Sequence, residues 1–379
     1  MQHLRVGFFT EVYHPVVNGV VASVDALAGG LRARGHEVYC FAPKVPGYEG
    51  DGAPVFRMPS LPLPSRSPYR LTLPLVSRRN LNGVIKRLSI VHVHSPFVTG
   101  WMGMRYARRY GMPLVFTYHT KLEEYAHYVP FETKSTRFAA EALTRGFADL
   151  TDATVVPNVA MAARLRELGV MTRVEIVPSG IDLELFGSGR RDGALRARIG
   201  VADASRLLIF VSRLAREKNV ELLLSALVLA PSDLQLAIVG DGPQRGALER
   251  FAKECGVADR AHFLGTAARE TLPHLYASAD AFVFPSSTET QGLVQAEAMA
   301  AGTPVIAADV PSNRDVLGGA GRLVAPTPAA FAQAFAAVPA VRDEALADRL
   351  RASAQRFSLD VQADRMVELY QSLMPTLVP

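Results

Sequence analysis

Short apolar runs alternate along most of this chain with longer segments of helical periodicity. Strands of a buried parallel sheet are apolar on both faces, so this alternation predicts an α/β protein whose sheets are covered by helices. In the first half of the chain, the runs predict strands at 4–9, 37–42, 90–93, 114–118 and 153–157. In the second half, they predict strands at 207–211, 234–239, 281–284 and 304–307.

The length and the spacing of these runs predict two domains. A chain of 379 residues is long enough for two domains that each bury a core. We place the first domain at residues 1–180 and the second at 206–357. The polar, glycine-bearing segment 181–205 between them is predicted to be a hinge, and the closing segment 358–379 to be mainly helical.

Two glutamates eight positions apart, Glu289 and Glu297, surround Gly292 directly after a predicted strand. The Ala-rich run that follows predicts a helix, which places Glu297 on the helix and Glu289 in the loop ahead of it. The amides of Gly292, Leu293 and Val294 would then be unsatisfied donors at a helix N-terminus, which favours a bound anion. Amides beside carboxylates indicate a sugar nucleotide, because amides bind a diphosphate and carboxylates accept hydrogen bonds from hydroxyl groups.

Basic and glycine residues follow the two strands that precede this helix. Arg213 and Lys218 come directly after the run 207–211, at the strand end where α/β proteins bind ligands. A guanidinium binds two phosphate oxygens with its planar fork, and an ammonium adds a mobile charge. Gly240 and Gly242 lie in a Gly-Asp-Gly-Pro sequence after the next strand. Taken alone, each of these motifs also fits an ordinary surface turn.

The order and spacing of these motifs carry a family resemblance. Across residues 204–310, R-x4-K, GDGP and E-x7-E resemble the C-terminal half of family-4 retaining glycosyltransferases. In the first half, 11–20 resembles the glycine loop of that family, and 117–120 resembles its active-site histidine segment. The resemblance implies the GT-B fold, in which two Rossmann-like domains face each other across a cleft. It also implies an N-terminal acceptor-binding domain, a C-terminal nucleotide-sugar-binding domain and a last helix that crosses back to the first domain.

The resemblance also implies roles for single residues of the second domain. Glu297 is expected to bind the ribose hydroxyls, and Glu289 a hydroxyl of the donor sugar. Arg213, Lys218 and the helix amides are expected to stabilise the charge that develops on the departing diphosphate. In the first domain, Gly19 is expected to let the backbone approach the phosphates closely, although a plain turn at a helix start also explains it.

His119 is the candidate of the first domain that we expect to contact the substrate. It follows the strand 114–118, at the sheet edge where α/β sites are built. His92 and His94 flank another strand, and histidines at strand ends often serve only to satisfy backbone groups. The resemblance implies that His119 contacts hydroxyls of the donor sugar. It further implies front-face displacement, in which the leaving phosphate helps to deprotonate the acceptor.

The donor and the acceptor are predicted less directly. The segment 121–128 is most similar to family members that glycosylate diacylglycerol-type lipids. We therefore expect a hexose, UDP-glucose being the favoured donor and a GDP-sugar the alternative, to be moved to a glycerolipid. The runner-up is a GDP-mannose-dependent mannosyltransferase acting on an inositol lipid or a soluble acceptor. A sugar-nucleotide epimerase and a non-catalytic binding protein are disfavoured, because Arg213, Lys218, His119 and Glu289 are all present.

Composition excludes several other classes. With 49% hydrophobic and 20% charged residues the chain is globular, and Cys40 and Cys255 are its only cysteines, which predicts a reducing compartment and no disulfide framework. No basic-then-apolar leader opens the chain, and no apolar run approaches the ~20 residues of a membrane span. Because no Asp-x-Asp sequence occurs, we expect no metal. No cofactor is expected either, since the sugar nucleotide is the donor substrate.

The charge distribution indicates a possible surface partner. From Gly52 to Leu122 there are 11 basic residues and no acidic one, and the residues 66–87 mix arginines with leucines and a tyrosine. We predict that the basic residues of 66–87 bind an anionic membrane, so that the protein is cytoplasmic and peripheral on the inner membrane face. The apolar stripe of Leu81, Val84, Ile85 and Leu88 is equally well explained by packing on the sheet. Nucleic acid is not expected, since no reading module accompanies the basic residues.

Overall fold

The computed structural model describes residues 3–16, 18–48, 50, 54–62, 69–74, 79–119, 134–202 and 205–374. The chain divides into two compact units. The first unit comprises Met1–Gly180 together with Leu359–Pro379, and the second comprises Ile181–Ser358. Each unit is built on its own parallel sheet.

The first unit contains a parallel sheet of seven strands in the order β3-β2-β1-β6-β7-β8-β9. Its order reverses between β1 and β6, which are neighbours in the sheet although β2 follows β1 in the chain. The strands are β1 (Arg5–Phe9), β2 (Glu37–Pro43), β3 (Val55–Met58), β6 (Ile90–Val93), β7 (Leu114–Thr117), β8 (Ala153–Val156) and β9 (Val174–Ile176). A separate antiparallel pair is formed by β4 (Ser60–Pro62) and β5 (Arg70–Thr72).

Helices bury both faces of this first sheet. The two faces form separate apolar clusters, one around Phe8, Val24 and Tyr370 and the other around Phe9, Phe116 and Phe147. The helices of this unit are α1 (Gly19–Ala33), α2 (Arg79–Ile85), α3 (Val98–Tyr110), α4 (Lys134–Ala148), α5 (Val159–Glu167) and, from the end of the chain, α15 (Leu359–Leu373).

The last helix, α15, packs against α1 inside the first unit. The two helices approach closely at Gly30, where an added Cβ would lie 2.8 Å from the Cβ of Ala363. Arg34, next to the end of α1, donates to the carboxylates of Asp360 at 3.1 Å and Asp364 at 2.6 Å. A helix that follows the second unit in sequence is therefore part of the core of the first.

The second unit contains a parallel sheet of six strands in the order β12-β11-β10-β13-β14-β15. The order reverses between β10 and β13, and the loops after these neighbouring strands leave in opposite directions along the sheet. The strands are β10 (Arg206–Val211), β11 (Leu234–Val239), β12 (Ala261–Gly265), β13 (Ala281–Phe284), β14 (Val305–Ala308) and β15 (Arg322–Val324).

One continuous apolar core fills the second unit, from Phe186 near its start to Phe357 at its end. Its helices are α6 (Leu183–Gly187), α7 (Gly193–Arg198), α8 (Val220–Leu229), α9 (Arg245–Glu254), α10 (Leu272–Ser278), α11 (Leu293–Ala300), α12 (Pro311–Leu317), α13 (Pro328–Ala336) and α14 (Glu344–Ala354), with short 3-10 turns at Arg216–Lys218, Ala258–Arg260, Arg269–Thr271 and Gln355–Phe357.

The two Rossmann-like parallel sheets confirm the predicted fold class. All nine predicted strands exist within two residues of their predicted ends, but six further strands were missed. The missed strands are short or carry polar residues, such as Ala261–Gly265 and Arg322–Val324, so they lack an apolar run. The segment 181–205 carries two short helices, α6 and α7, and lies within the second unit.

Candidate functional site

The reversal of strand order in the second unit brings two predicted site residues together. Lys218 ends the 3-10 turn after β10, and Glu289 lies in the loop after β13. The ammonium of Lys218 donates to the carboxylate of Glu289, although the two residues are 71 positions apart. Their side chains are only 13% and 15% exposed, so little water screens the pair. Open parallel sheets bind ligands at such a reversal, outside the carboxyl ends of the strands.

Arg213, the other predicted cation, lies in the same loop. Its Nη2 donates to Glu217 Oε1 at 2.6 Å, and its side chain is 45% exposed whereas that of Glu217 is almost fully buried. The Ser286 hydroxyl, from the loop after β13, donates to the Glu217 carbonyl at 3.0 Å. The loops after β10 and β13 are therefore bonded to each other through Ser286 as well as through the Lys218–Glu289 pair.

The two glycines of the Gly-Asp-Gly-Pro sequence allow a close backbone contact. At Gly240, whose φ is +131°, an added Cβ would lie 1.9 Å from the Ser212 carbonyl oxygen. At Gly242, it would lie 2.4 Å from the Leu214 carbonyl oxygen. The loops after β10 and β11 thus touch through their main chains, and a side chain at either glycine would force them apart. The predicted contact of these glycines with a ligand stays a prediction.

Helix α11 begins as the sequence predicts, directly after Gly292. This glycine has φ +72° and ψ 56°, a left-handed conformation that favours glycine, and no side chain caps the helix. The amides of Leu293 and Val294 belong to the first turn, where a helix has no internal acceptors for its N–H groups. Their binding of an anion stays a prediction.

Glu297 lies one turn into α11 and is held by Tyr276. The tyrosine hydroxyl donates to Oε2 of Glu297 at 2.9 Å. Burial raises the pKa of the Glu297 carboxyl, while the hydrogen bond from Tyr276 and the charge of Arg269 act in the opposite direction. One carboxylate oxygen is therefore fixed by the protein, which leaves the other oxygen to accept hydrogen bonds.

A buried amide network below α11 was missed by sequence reasoning. Gln295 Nε2 donates to Asn313 Oδ1 at 2.9 Å, and Asn313 Nδ2 donates to the carbonyls of Ser286 at 3.3 Å and Ala308 at 2.8 Å. Gln295 and Asn313 are both fully buried. The network fixes the loop after β13, and no local sequence motif signals it because its partners come from α11, α12 and two strand ends.

In the first unit, His119 lies just beyond β7 and meets a second histidine. Its Nε2 is 2.9 Å from Nδ1 of His94, which directly follows β6, and the two ring centroids are 5.2 Å apart. His92 sits beside them, with its ring centroid 4.2 Å from that of His94. His92 bonds to the Tyr370 hydroxyl and to Thr117 Oγ1, both at 2.6 Å. The side chains of these three histidines therefore bond to other side chains and not to backbone groups.

Burial keeps the three histidines neutral near pH 7. It lowers the pKa of His119 to about 4. It also lowers the pKa values of His92 and His94 well below the ordinary range, and the neighbouring histidines add to this effect. A small cavity of about 10 Å³ adjoins the cluster and is lined in part by Ser23, Ser179 and Gln362.

The loop after β1, which contains the predicted Gly19, is anchored at several points. The carboxylate of Glu11 accepts from the amides of Thr72 at 2.8 Å and Thr99 at 2.9 Å, and from the Thr99 hydroxyl at 2.8 Å. Asn18 caps α1 by accepting from the Val21 amide at 2.9 Å. Gly19 itself is exposed, and an added Cβ would meet nothing within 4 Å. Its close contact with phosphates stays a prediction.

The basic segment 66–87 is described only in part. Arg66 and Arg78 lie outside the described residues, as does the whole segment 121–128. Ile85 and Leu88 are buried in the core of the first unit, and Leu81 and Val84 pack against it, so the apolar stripe serves packing. Lys86 and Arg87 are exposed next to it.

In the part of the chain that the structure describes, every helix is too short or too polar to span a membrane. Within the same residues, no three His, Cys, Asp or Glu side chains are arranged to hold a metal ion. Cys40 is a buried free thiol, and Cys255 is a partly buried one.

Two family profiles match the chain in its two halves. The profile "Glycosyltransferase Family 4" matches residues 17–185, and "Glycosyl transferases group 1" matches residues 193–357. The alpha-monoglucosyldiacylglycerol synthase of Streptococcus pneumoniae is 32% identical over 314 residues, which cover 80% of this chain and 71% of that protein. The GDP-mannose-dependent alpha-mannosyltransferase of Mycolicibacterium smegmatis is 35% identical over 322 residues, covering 83% of this chain and 82% of that protein.

Solved structures share the architecture at lower sequence identity. The crystal structure of Anabaena HepE in complex with UDP and glucose superposes with a TM-score of 0.76 at 19% identity, covering 98% of this chain and 100% of HepE. A sucrose-phosphate synthase from Thermosynechococcus elongatus gives a TM-score of 0.75 at 24% identity, with coverage of 98% and 99%. At these identities the likeness shows the fold.

The neutral histidines predict how stability depends on pH. We expect the free energy of unfolding of the first unit to fall as the pH is lowered from the ordinary histidine pKa of 6.5 towards about 4. In this window, unfolded histidines bind protons that the buried ones do not, at up to about 1.4 kcal/mol per pH unit for each histidine. Urea unfolding followed by the fluorescence of Trp101, the only tryptophan of the chain, measures this unit.

Two variants serve to assign this pH dependence. His94→Asn should reduce the slope of the free energy of unfolding against pH by the contribution of one bound proton. His3→Gln, which changes an exposed side chain, should leave this slope unchanged. Equal slopes for the wild type and His94→Asn would contradict the neutral burial of His94.

Proposed function

This chain belongs to the family-4 glycosyltransferases and is a hexosyltransferase with the GT-B fold, and we propose that it is a retaining, α-forming enzyme that glycosylates a glycerolipid. The favoured donor is UDP-glucose. The observation that carries the proposal is the Lys218–Glu289 pair, which places a cation and a carboxylate beside the uncapped start of α11. A nucleoside-diphosphate sugar needs these groups together, because it carries charged phosphates next to sugar hydroxyls.

In this proposal the donor is bound by the loops of the second unit. Lys218, Arg213 and the first amides of α11 contact the diphosphate and stabilise the charge that develops as it leaves. Glu289 accepts a hydrogen bond from a hydroxyl of the sugar, and Glu297 accepts from the ribose with the carboxylate oxygen that Tyr276 leaves available.

The bond changes follow from retention without a protein nucleophile. The bond between the anomeric carbon and the diphosphate oxygen breaks, and the acceptor oxygen bonds to the same face of the sugar. The leaving phosphate takes the proton of the acceptor hydroxyl, and the freed nucleoside diphosphate carries it away. His119 remains neutral and contacts hydroxyl groups of the substrate, in keeping with its pKa of about 4.

The acceptor is proposed from the relatives and from the surface charge. Relatives from Streptococcus pneumoniae and Acholeplasma laidlawii, both 32% identical over 80% of this chain, are alpha-monoglucosyldiacylglycerol synthases. The run of 11 basic residues without an acidic one supports docking on anionic lipid. We therefore place the enzyme at the cytoplasmic face of a membrane, with glycolipid as its product.

A GDP-mannose-dependent mannosyltransferase is the second candidate. It is supported by the mannosyltransferases of Mycolicibacterium smegmatis and Mycobacterium tuberculosis, which are 35% and 34% identical over 83% of this chain. The same diphosphate and hydroxyl contacts serve either donor, since Lys218, Arg213 and Glu289 do not touch the base in this proposal. Experiment must therefore separate the two nucleotides.

A turnover screen tests the proposal directly. Purified protein is incubated with UDP-glucose, UDP-galactose or GDP-mannose, each with and without diacylglycerol vesicles, and released nucleoside diphosphate and lipid products are measured. We expect UDP release that requires lipid and yields an α-linked glycolipid. Lipid-independent transfer from GDP-mannose would favour the second candidate, and isomerised donor without transfer would overturn both.

Substitutions at the ion pair test the assigned site. Lys218→Ala and Glu289→Ala should each lower turnover by about 100-fold or more, because each removes a preorganised contact and leaves its largely buried partner uncompensated. Turnover is measured on protein whose urea midpoint shows that it is folded. Lys253→Ala and Glu254→Ala, which change exposed residues of α9, are the matched controls and should keep wild-type rates. Near-normal turnover of either site variant would remove that residue from the site.

Vesicle binding tests the proposed membrane surface. Replacing Lys86 and Arg87 by glutamine should weaken binding to anionic vesicles by ~30-fold, since each basic side chain contributes about 1 kcal/mol near anionic headgroups. The control replaces Arg250 and Lys253 of α9, also one arginine and one lysine, and should bind as the wild type does. Equal affinity of both double variants, with the same dependence on salt, would exclude Lys86 and Arg87 from the membrane contact.

A further inference from the structure

His94 makes a contact that none of the assigned roles uses. It directly follows β6, its side chain is buried, and its Nδ1 lies 2.9 Å from Nε2 of His119. The two rings are nearly parallel, with an angle of 27° between their planes. The two rings are therefore joined edge to edge by a hydrogen bond, and we call them the histidine pair.

The ring of His94 is held from several sides within the first unit. Its amide donates to the Phe9 carbonyl at 2.8 Å, which fixes the main chain at this point. The ring of Phe8 contacts it edge-on, with centroids 4.7 Å apart, and the ring of His92 lies against it. His92 is itself fixed by Tyr370 and Thr117. His94 thus offers its Nδ1 to His119 from a rigid position.

One hydrogen is shared between the facing nitrogens of the histidine pair. Both rings are neutral near pH 7, because burial lowers both pKa values. In a neutral ring one nitrogen is a donor and the other an acceptor, so the bonded nitrogen of one ring carries a hydrogen and that of the other does not. Two arrangements are possible, and they differ in which nitrogen of His119 carries its hydrogen.

The surroundings of His94 favour one arrangement. Nε2 of His94 is buried and has no hydrogen-bond partner among the described residues. Buried N–H groups without a partner are rarer in proteins than buried acceptors that remain unpaired. The hydrogen of His94 therefore belongs on Nδ1, where it is donated to Nε2 of His119. The hydrogen of His119 must then be on its Nδ1.

We propose that His94 is the positioning residue of His119: it occupies Nε2 of that ring, fixes its tautomer and leaves Nδ1–H to donate to a substrate hydroxyl oxygen. The proposal rests on the proposed function for the contact between His119 and the substrate. The tautomer and the orientation of the ring follow from the histidine pair alone. A ring that is not held by His94 could turn Nδ1 away from the substrate or exchange its tautomer.

Two substitutions of matched shape separate this role from simple core packing. In both His94→Asn and His94→Leu, the two atoms bonded to Cγ take the places of Nδ1 and Cδ2 of the histidine ring. Both variants leave the space of the remaining ring atoms empty. Only asparagine places an N–H donor where Nδ1 stood. Both variants are compared with the wild type for kcat and KM toward the donor that the turnover screen identifies, and for the urea midpoint reported by Trp101 fluorescence.

We expect kcat/KM of His94→Leu to fall at least ~10-fold, as is typical for the loss of an orienting hydrogen bond, and that of His94→Asn to stay within ~3-fold of the wild type. If His94 had a purely structural role, kcat/KM would fall alike in both variants, in proportion to their loss of stability. That result would overturn the proposal. His94→Leu with the activity of the wild type would also overturn it.

A spectroscopic measurement tests the histidine pair without any substrate. Nitrogen-15 NMR of histidine-labelled wild-type protein distinguishes protonated from unprotonated ring nitrogens, and His119→Gln assigns the signals of His119. We expect Nδ1 of His119 to be protonated and Nε2 unprotonated, and this pattern to be lost in His94→Leu. A hydrogen on Nε2 of His119 in the wild type would overturn the proposal. Absence of turnover in the wild type with every donor would instead defeat the proposed function, while the NMR result still decides the state of the pair.

Discussion

Burial of both faces of the two parallel sheets is the constraint on which the rest of the structure depends. The strand residues of β6, β8, β13 and β14 are buried throughout, so these strands cannot carry solvated side chains along their length. Charged and reactive groups are therefore confined to the strand ends and the loops that follow them. In both units the candidate residues lie beyond the carboxyl ends of the strands, next to the point where strand order reverses.

The Lys218–Glu289 pair shows how burial of the sheets brings charged groups together at the strand ends. Two largely buried charges in contact stabilise a loop only weakly, because desolvation opposes their attraction. They nevertheless hold each other in place before a ligand arrives, while the buried amides of Gln295 and Asn313 fix the loop. In the proposed function, a diphosphate and a sugar hydroxyl bind Lys218 and Glu289 in positions that are already set. Such preorganisation is what makes charge stabilisation effective in catalysis.

Local patterns predicted the elements of the structure better than they predicted its contacts. The apolar runs located nine strands, and E-x7-E placed Glu297 on α11 and Glu289 before it, because both depend on neighbours in the sequence. The pairing of Lys218 with Glu289 depends on the strand order and not on any local motif. The same holds for His94 and His119, which are 25 positions apart and meet because β6 and β7 are adjacent. Some missed strands, such as Arg322–Val324, are too short to show a period, and others, such as Ala261–Gly265, carry a polar residue that interrupts the apolar run.

The histidine cluster points to hydrogen bonding as the contribution of His119, and not to proton abstraction. A base with a pKa of about 4 has little affinity for a proton near pH 7, so His119 is poorly suited to deprotonate an acceptor hydroxyl. The low pKa has another consequence: a ring that stays neutral keeps one donor and one acceptor nitrogen. A fixed neighbour can then determine which of the two ring nitrogens is the donor. His94 is such a neighbour, since burial also keeps it neutral and Phe8 and His92 hold its ring. In the proposed mechanism of front-face displacement, the departing phosphate takes this proton.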